Sequence, residues 1–134
     1  MGTWGCNIFE NDDSCDFVEN LGHNREYEDL RDALERVLKN HISFSVYDSH
    51  IALAATSVIK GIVTGDYETL PPNVIEWAKT RKTKDFTNLI QPSLEAIEKI
   101  KRNSELREEW SNTPEFLEWL KVIENLEYGW PQST

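Results

Sequence analysis

Asp48-Ser49-His50-Ile51-Ala52-Leu53-Ala54-Ala55-Thr56-Ser57-Val58-Ile59-Lys60-Gly61-Ile62-Val63-Thr64 decides the fold. At helical spacing, Ile51, Ala52, Leu53, Ala54, Ala55, Val58, Ile59, Ile62 and Val63 cover most of the circumference. A helix apolar nearly all round is a buried one, surrounded by other elements. The spacing predicts a central helix through Thr64, capped by Asp48 or Ser49 and stopped at Gly65. Its alanines permit close approach of neighbours.

Outward from this segment the period stays helical. Tyr27, Leu30, Leu34, Val37 and Leu38 form a stripe over about Glu26–Lys39, with charge on the other face. Before it, Asn11, Asp12 and Asp13 offer cap oxygens to a short helix that carries Phe17, Val18 and Leu21 and ends at Gly22. Ile42-Ser43-Phe44-Ser45-Val46 alternates like a strand, but no comparable strand is present to pair with it, so an extended connector is expected. Leu70-Pro71-Pro72 opens a fourth helix with Val74, Ile75, Trp77 and Ala78 inward. Phe86, Leu89, Ile90, Leu94, Ile97 and Ile100 remain in phase, which predicts one helix capped by Asp85 and kinked at Pro92. Asn103 or Ser104 opens a short helix with Leu106 and Trp110. Thr113-Pro114-Glu115 then opens a last one, lined by Phe116, Leu117, Trp119, Leu120, Ile123 and Leu126 and closed by Gly129 and Pro131. The expectation is all-α: one domain over residues 1–134, a bundle of about six to seven helices with a docked non-helical N-terminal segment. Trp77, Trp110 and Trp119 fall in phase with the core, and Trp130 is expected to pack back onto the last helix.

The chain has 134 residues and a net charge of −10, a long-range repulsion that disfavours nucleic acid and anionic membranes as partners. The excess is concentrated early: residues 1–40 hold ten acids against four bases. A basic protein is the partner that such a face suits. No secretory signal is visible, and the longest apolar stretch is too short to span a bilayer, so a cytoplasmic protein is expected. Cys6 and Cys15 make neither a disulfide framework nor a zinc signature.

The opening segment, Met1-Gly2-Thr3-Trp4-Gly5-Cys6-Asn7-Ile8-Phe9-Glu10-Asn11-Asp12-Asp13, puts a tryptophan where termini are usually polar. Trp4 and Phe9 are expected to dock it on the bundle. Trp4-Gly5, Phe9, Asn11-Asp12-Asp13 and Asp16 resemble the start of the bacterial DUF4259 family. The likeness continues through Ala52-Leu53-Ala54-Ala55, Leu70-Pro71 and Ser104-Glu105-Leu106-Arg107-Glu108-Glu109-Trp110. The chain departs from that pattern at Cys6 and Asn7, and by His50 and Thr56 in the central helix where the family suggests acids. The resemblance implies a small helical bacterial protein, with Trp4, Gly5, Phe9, Asn11 and Asp12 as a structural signature, and no established activity.

Three constellations merit chemistry. Asp12-Asp13-Ser14-Cys15-Asp16 is a D-D-x-x-D spacing, which places two carboxylates one helical turn apart as Mg²⁺–diphosphate sites do. Asp12, Asp13 and Asp16 are thus metal candidates, although helix capping alone calls for acids there. Glu28, Asp29, Asp32 and Glu35 form an acidic helix face that is a candidate partner surface. His50 is a candidate general base near Asp48; His23, His41 and His50 have no ligand spacing. Lys79, Arg81, Lys82 and Lys84 form the concentrated positive patch, without the interleaved aromatics of a nucleic-acid site. No phosphate loop, nucleophile elbow or dinucleotide fingerprint occurs, so no catalytic residue and no cofactor is expected. The leading reading is a non-enzymatic interaction protein, of immunity or regulatory type, with an acidic face. The alternatives are a Mg²⁺-dependent phosphohydrolase using the N-terminal acids and a structural oligomerisation module.

Overall fold

A computed structural model describes residues 5–21, 26–39 and 44–131. Among these the secondary structure is helical: α1 (Asp12–Glu19), α2 (Glu26–Leu38), α3 (Val46–Thr64), α4 (Pro72–Lys79), α5 (Ile90–Arg102), α6 (Glu105–Ser111) and α7 (Phe116–Glu127). Two 3₁₀ turns, Thr83–Asp85 and Thr87–Leu89, precede α5. The all-α expectation holds, and α3 is the axis. It packs against α1, α2, α4, α5 and α6, and its residues from Ser49 to Ile59 are all buried.

Local chemistry moves several predicted boundaries. Ser45, not Asp48 or Ser49, caps α3: its hydroxyl accepts from Asp48 N at 3.1 Å, while the Asp48 carboxylate accepts from Ser45 N. This reciprocal box satisfies two orphan amides at once and draws Val46, expected in the connector, into the helix. Ile42 and Ser43 lie outside the described residues. At the other end Gly65 takes φ +79° and donates to Gly61 O, the left-handed stop expected of it.

The predicted long kinked helix around Pro92 is two 3₁₀ turns followed by a helix that starts at Ile90. Pro92 lacks an N–H and its ring collides with a carbonyl four residues back, so α-helix cannot run in from Phe86. In the first turn of α5 the missing N–H costs nothing. Asp85 accordingly sits inside a 3₁₀ turn and caps nothing, yet Phe86, Leu89 and Ile90 remain buried. Thr113 likewise does not start α7. Its hydroxyl donates backward to Trp110 O at 2.8 Å, and the helix begins at Phe116.

Asn11 caps α1, accepting from Ser14 N at 2.8 Å and donating through Nδ2 to Ile8 O. Asp12 and Asp13 occupy the first turn, where their charge complements the helix dipole. Gly22, the expected stop, lies outside the described residues; α1 ends at Glu19. Trp4 also lies outside them, so of the expected N-terminal plugs only Phe9 is described, and it is partly buried. Ile8 is the side chain that reaches the core. Trp119 is fully buried, whereas Trp77 and Trp110 pack partly buried against the same cluster. Trp130 folds back as expected, its indole N–H donating to Leu126 O at 2.6 Å.

Candidate functional site

The helix pairing of α1, α2 and α3 leaves a cleft of about 370 Å³. From α1 it receives Asp13, Asp16 and Phe17, followed by Asn20 and Leu21; from α2 Asp29, Asp32, Ala33 and Arg36; from α3 Tyr47 and Ile51. Four carboxylates thus share one concavity, two from the metal candidates and two from the partner-surface candidates. The arithmetic of a helix explains the alignment. Asp13 and Asp16 are three residues apart on α1, as are Asp29 and Asp32 on α2, so each pair projects from one face. Phe17, Ala33 and Ile51 supply apolar surface within the cleft.

The other sequence candidates fall elsewhere. Asp12 is exposed and does not line the cleft. Glu28 lines a separate groove with Glu26, Arg81 and Lys82, and Glu35 forms an ion pair with Lys39 at 3.2 Å. That neighbouring groove also divides the positive patch, because Arg81 is bound to Glu26. Among the described residues no three His, Cys, Asp or Glu side chains converge as a metal site requires.

Two features escape sequence reading. Arg36 sits at the cleft, bonded to Asp48 at 3.3 Å, with its guanidinium 5.8 Å from the centre of the Tyr47 ring. The cleft therefore already holds one cation against an aromatic face. His50, expected near Asp48, instead turns its Nδ1 to Asp13 Oδ2 at 3.0 Å. The imidazole is buried while Asp13 is 36% exposed, so the pair runs from the core to the cleft. Ser14 Oγ donates to His50 O at 3.1 Å beside it. The two contacts fasten α1 to the start of α3. A separation of 37 residues has no local signature, so only the buried position of His50 in an apolar helix could have hinted at a partner.

His50 also lines a small recess with Cys6, Leu53, Leu106, Trp110 and Trp119. At about 10 Å³ it has room for about one water. Neither thiol is primed as a nucleophile. Burial, then the Glu118 charge, pushes Cys6 up; burial, then Asp12, Asp16 and Glu19, pushes Cys15 up, and its Sγ donates to Phe9 O.

The family described as "Domain of unknown function (DUF4259)" matches residues 2–122. The chain belongs to the DUF4259 family. No curated protein and no solved structure matches it. The DUF4259 match runs from the opening segment into α7 and so contains the whole cleft and the Asp13–His50 pair. No helix among the described residues is long and apolar enough to cross a membrane.

Proposed function

We propose that this DUF4259 protein is a non-enzymatic interaction protein, regulatory or immunity-type, that receives a basic partner protein at the α1–α2–α3 cleft. The observation that carries this reading is the convergence of Asp13, Asp16, Asp29 and Asp32 on one cleft, with apolar surface between the acidic walls. A lysine or arginine side chain suits such a cleft: its methylenes cover apolar surface while its charge reaches carboxylates. The overall charge of −10 adds long-range attraction for the same partner. Cytoplasmic residence is part of the proposal.

The test pairs a double charge reversal in the cleft, Asp16→Lys with Asp29→Lys, with a control reversal on α6, Glu105→Lys with Glu108→Lys. Proteins captured from native lysate by the wild-type chain are identified, purified and titrated against all three. The expected result is loss of binding for the cleft variant alone, with wild-type affinity falling as salt rises. Equal binding by all three proteins would remove the cleft from the reading. Absence of any salt-sensitive basic partner would remove the function.

A further inference from the structure

A second concavity, about 490 Å³, lies at the far end of α3. Lys60 enters it from α3, as the one Lys, Arg, Asp or Glu of that helix after Asp48. Asp66 and Glu68, from the turn after α3, stand on one side, and Val122, Asn125 and Tyr128 on the other. The Lys60 ammonium has an unusual setting. It is part-buried, and its polar contact is the main-chain oxygen of Asn125 at 3.0 Å. No ion pair to Lys60 occurs among the described residues, although two carboxylates share the groove. A part-buried ammonium without a counter-ion gives up its proton more readily, and the neutral amine is the nucleophile. Burial pushes the Lys60 ammonium down despite Asp66 and Glu68, which push it up.

Part of this arrangement serves the fold. α7 has no basic residue in its last turn, and Lys60 supplies the cation that its carbonyl end attracts. A neutral amine can still donate one N–H to Asn125 O, and so can a protonated imine. Covalent chemistry at Nζ is therefore compatible with the cap.

We propose that Lys60 is an adduct-forming amine that takes a neutral aldehyde or ketone as an imine within this groove. The Nζ lone pair adds to the carbonyl carbon, forming the C–N bond as the C=O π bond opens, and a proton passes from that nitrogen to the oxygen to give a carbinolamine. Asp66 or Glu68 takes the proton that the ammonium gives up and passes it to the carbinolamine hydroxyl, which leaves as water. The net change joins ammonium and carbonyl compound into iminium and water, with no change of oxidation state. The same two carboxylates repel an anionic carbonyl compound, and Ile8, Val122 and Leu126 offer apolar surface to its chain.

The experiment treats the folded full chain with butanal and cyanoborohydride, which fixes any imine as a stable secondary amine. Initial labelling rates are read at each of the eight lysines by peptide mass mapping. Lys60 should label several-fold faster than the exposed Lys84 and Lys121. Lys60→Arg, which keeps a donor for Asn125 O, should lose that fast site with little change in melting temperature. Labelling of Lys60 no faster than Lys84 and Lys121 overturns the proposal. The Asp66→Asn/Glu68→Gln variant tests the carboxylates: imine capture should slow while acetylation of Lys60 by an activated ester does not. A parallel rise in both reactions would mean that the acids only hold the charge on the ammonium, which overturns their role in the loss of water.

Discussion

The seam between α1 and α3 and the seam between α5 and α7 are built on opposite principles. Of α1 only Ser14 and Val18 are buried, and two polar contacts fasten it: Asp13 to the His50 imidazole and Ser14 to the His50 carbonyl. Across the α5–α7 seam, Ala96, Ile97 and Ile100 join Trp119, Ile123 and Leu126, all 3% exposed or less. One ion pair, Lys101 to Glu127 at 2.8 Å, closes the edge. Apolar burial scales with area and dominates stability, whereas a hydrogen bond exchanged with water contributes little net. The α5–α7 side therefore carries the fold, and the α1 side is free to carry charge into a cleft.

The largest test of that contrast is Trp119→Ala, which should destabilise by about 3–5 kcal/mol, the scale for an emptied aromatic site in a core. Val18→Ala, on the other seam, removes two methyl groups and should cost about 1–2 kcal/mol by the transfer value of buried methylenes with a small cavity term. Urea midpoints decide it. Similar losses for the two would mean that α1 is as deeply anchored as α7.

Asp13→Asn comes next. It keeps the shape but removes the charge facing His50, and should cost about 1 kcal/mol, the net scale of one hydrogen bond. The site of the loss matters more than its size. Hydrogen exchange should quicken in α1 while α5 amides stay protected; uniform quickening would show that the two seams melt as one unit.

How much of this contrast was legible in the sequence follows from the range of the forces involved. The buried α3 was readable because its apolar residues wrap the whole circumference, a property of the segment alone. The α5 start is hidden because phase continuity from Phe86 to Ile100 survives two 3₁₀ turns, while the steric demand of Pro92 does not show in a hydrophobic count. The Ser45 cap was missed because an alternating strand-like run concealed a serine three residues before Asp48. Of the site, the acids were visible and their meeting was not. In the sequence Asp13 and Asp16 read as metal candidates and Asp29 and Asp32 as a partner face, on two helices whose packing alone makes one cleft of them. His50 found its partner across 37 residues, where no spacing rule reaches.

Charge reversal in the cleft should barely touch the fold. Asp16→Lys with Asp29→Lys ought to change stability by no more than about 0.5 kcal/mol, as substitutions away from the core do. Thermal melts beside the binding assay would show it. A drop comparable to that of Trp119→Ala would assign these acids to the scaffold instead of the surface.

The smallest expected effect lies at the edge of the strong seam and is best seen through pH. Glu127 holds the Lys101 proton: its hydrogen bond is the leading cause that pushes Lys101 up, ahead of the opposing effect of burial. A base whose folded value is raised stabilises the fold at every pH below its unfolded value, and loses that contribution as pH rises through the folded one. The wild-type protein should therefore give up this increment as pH rises through the alkaline range, and Lys101→Met should flatten that part of the stability curve. At neutral pH the same substitution should cost about 0.5 kcal/mol, the range of a part-exposed ion pair. The methionine keeps the apolar stem against α7, so a much larger loss would mean that the ion pair, and not the buried isoleucines and tryptophan, holds this seam closed.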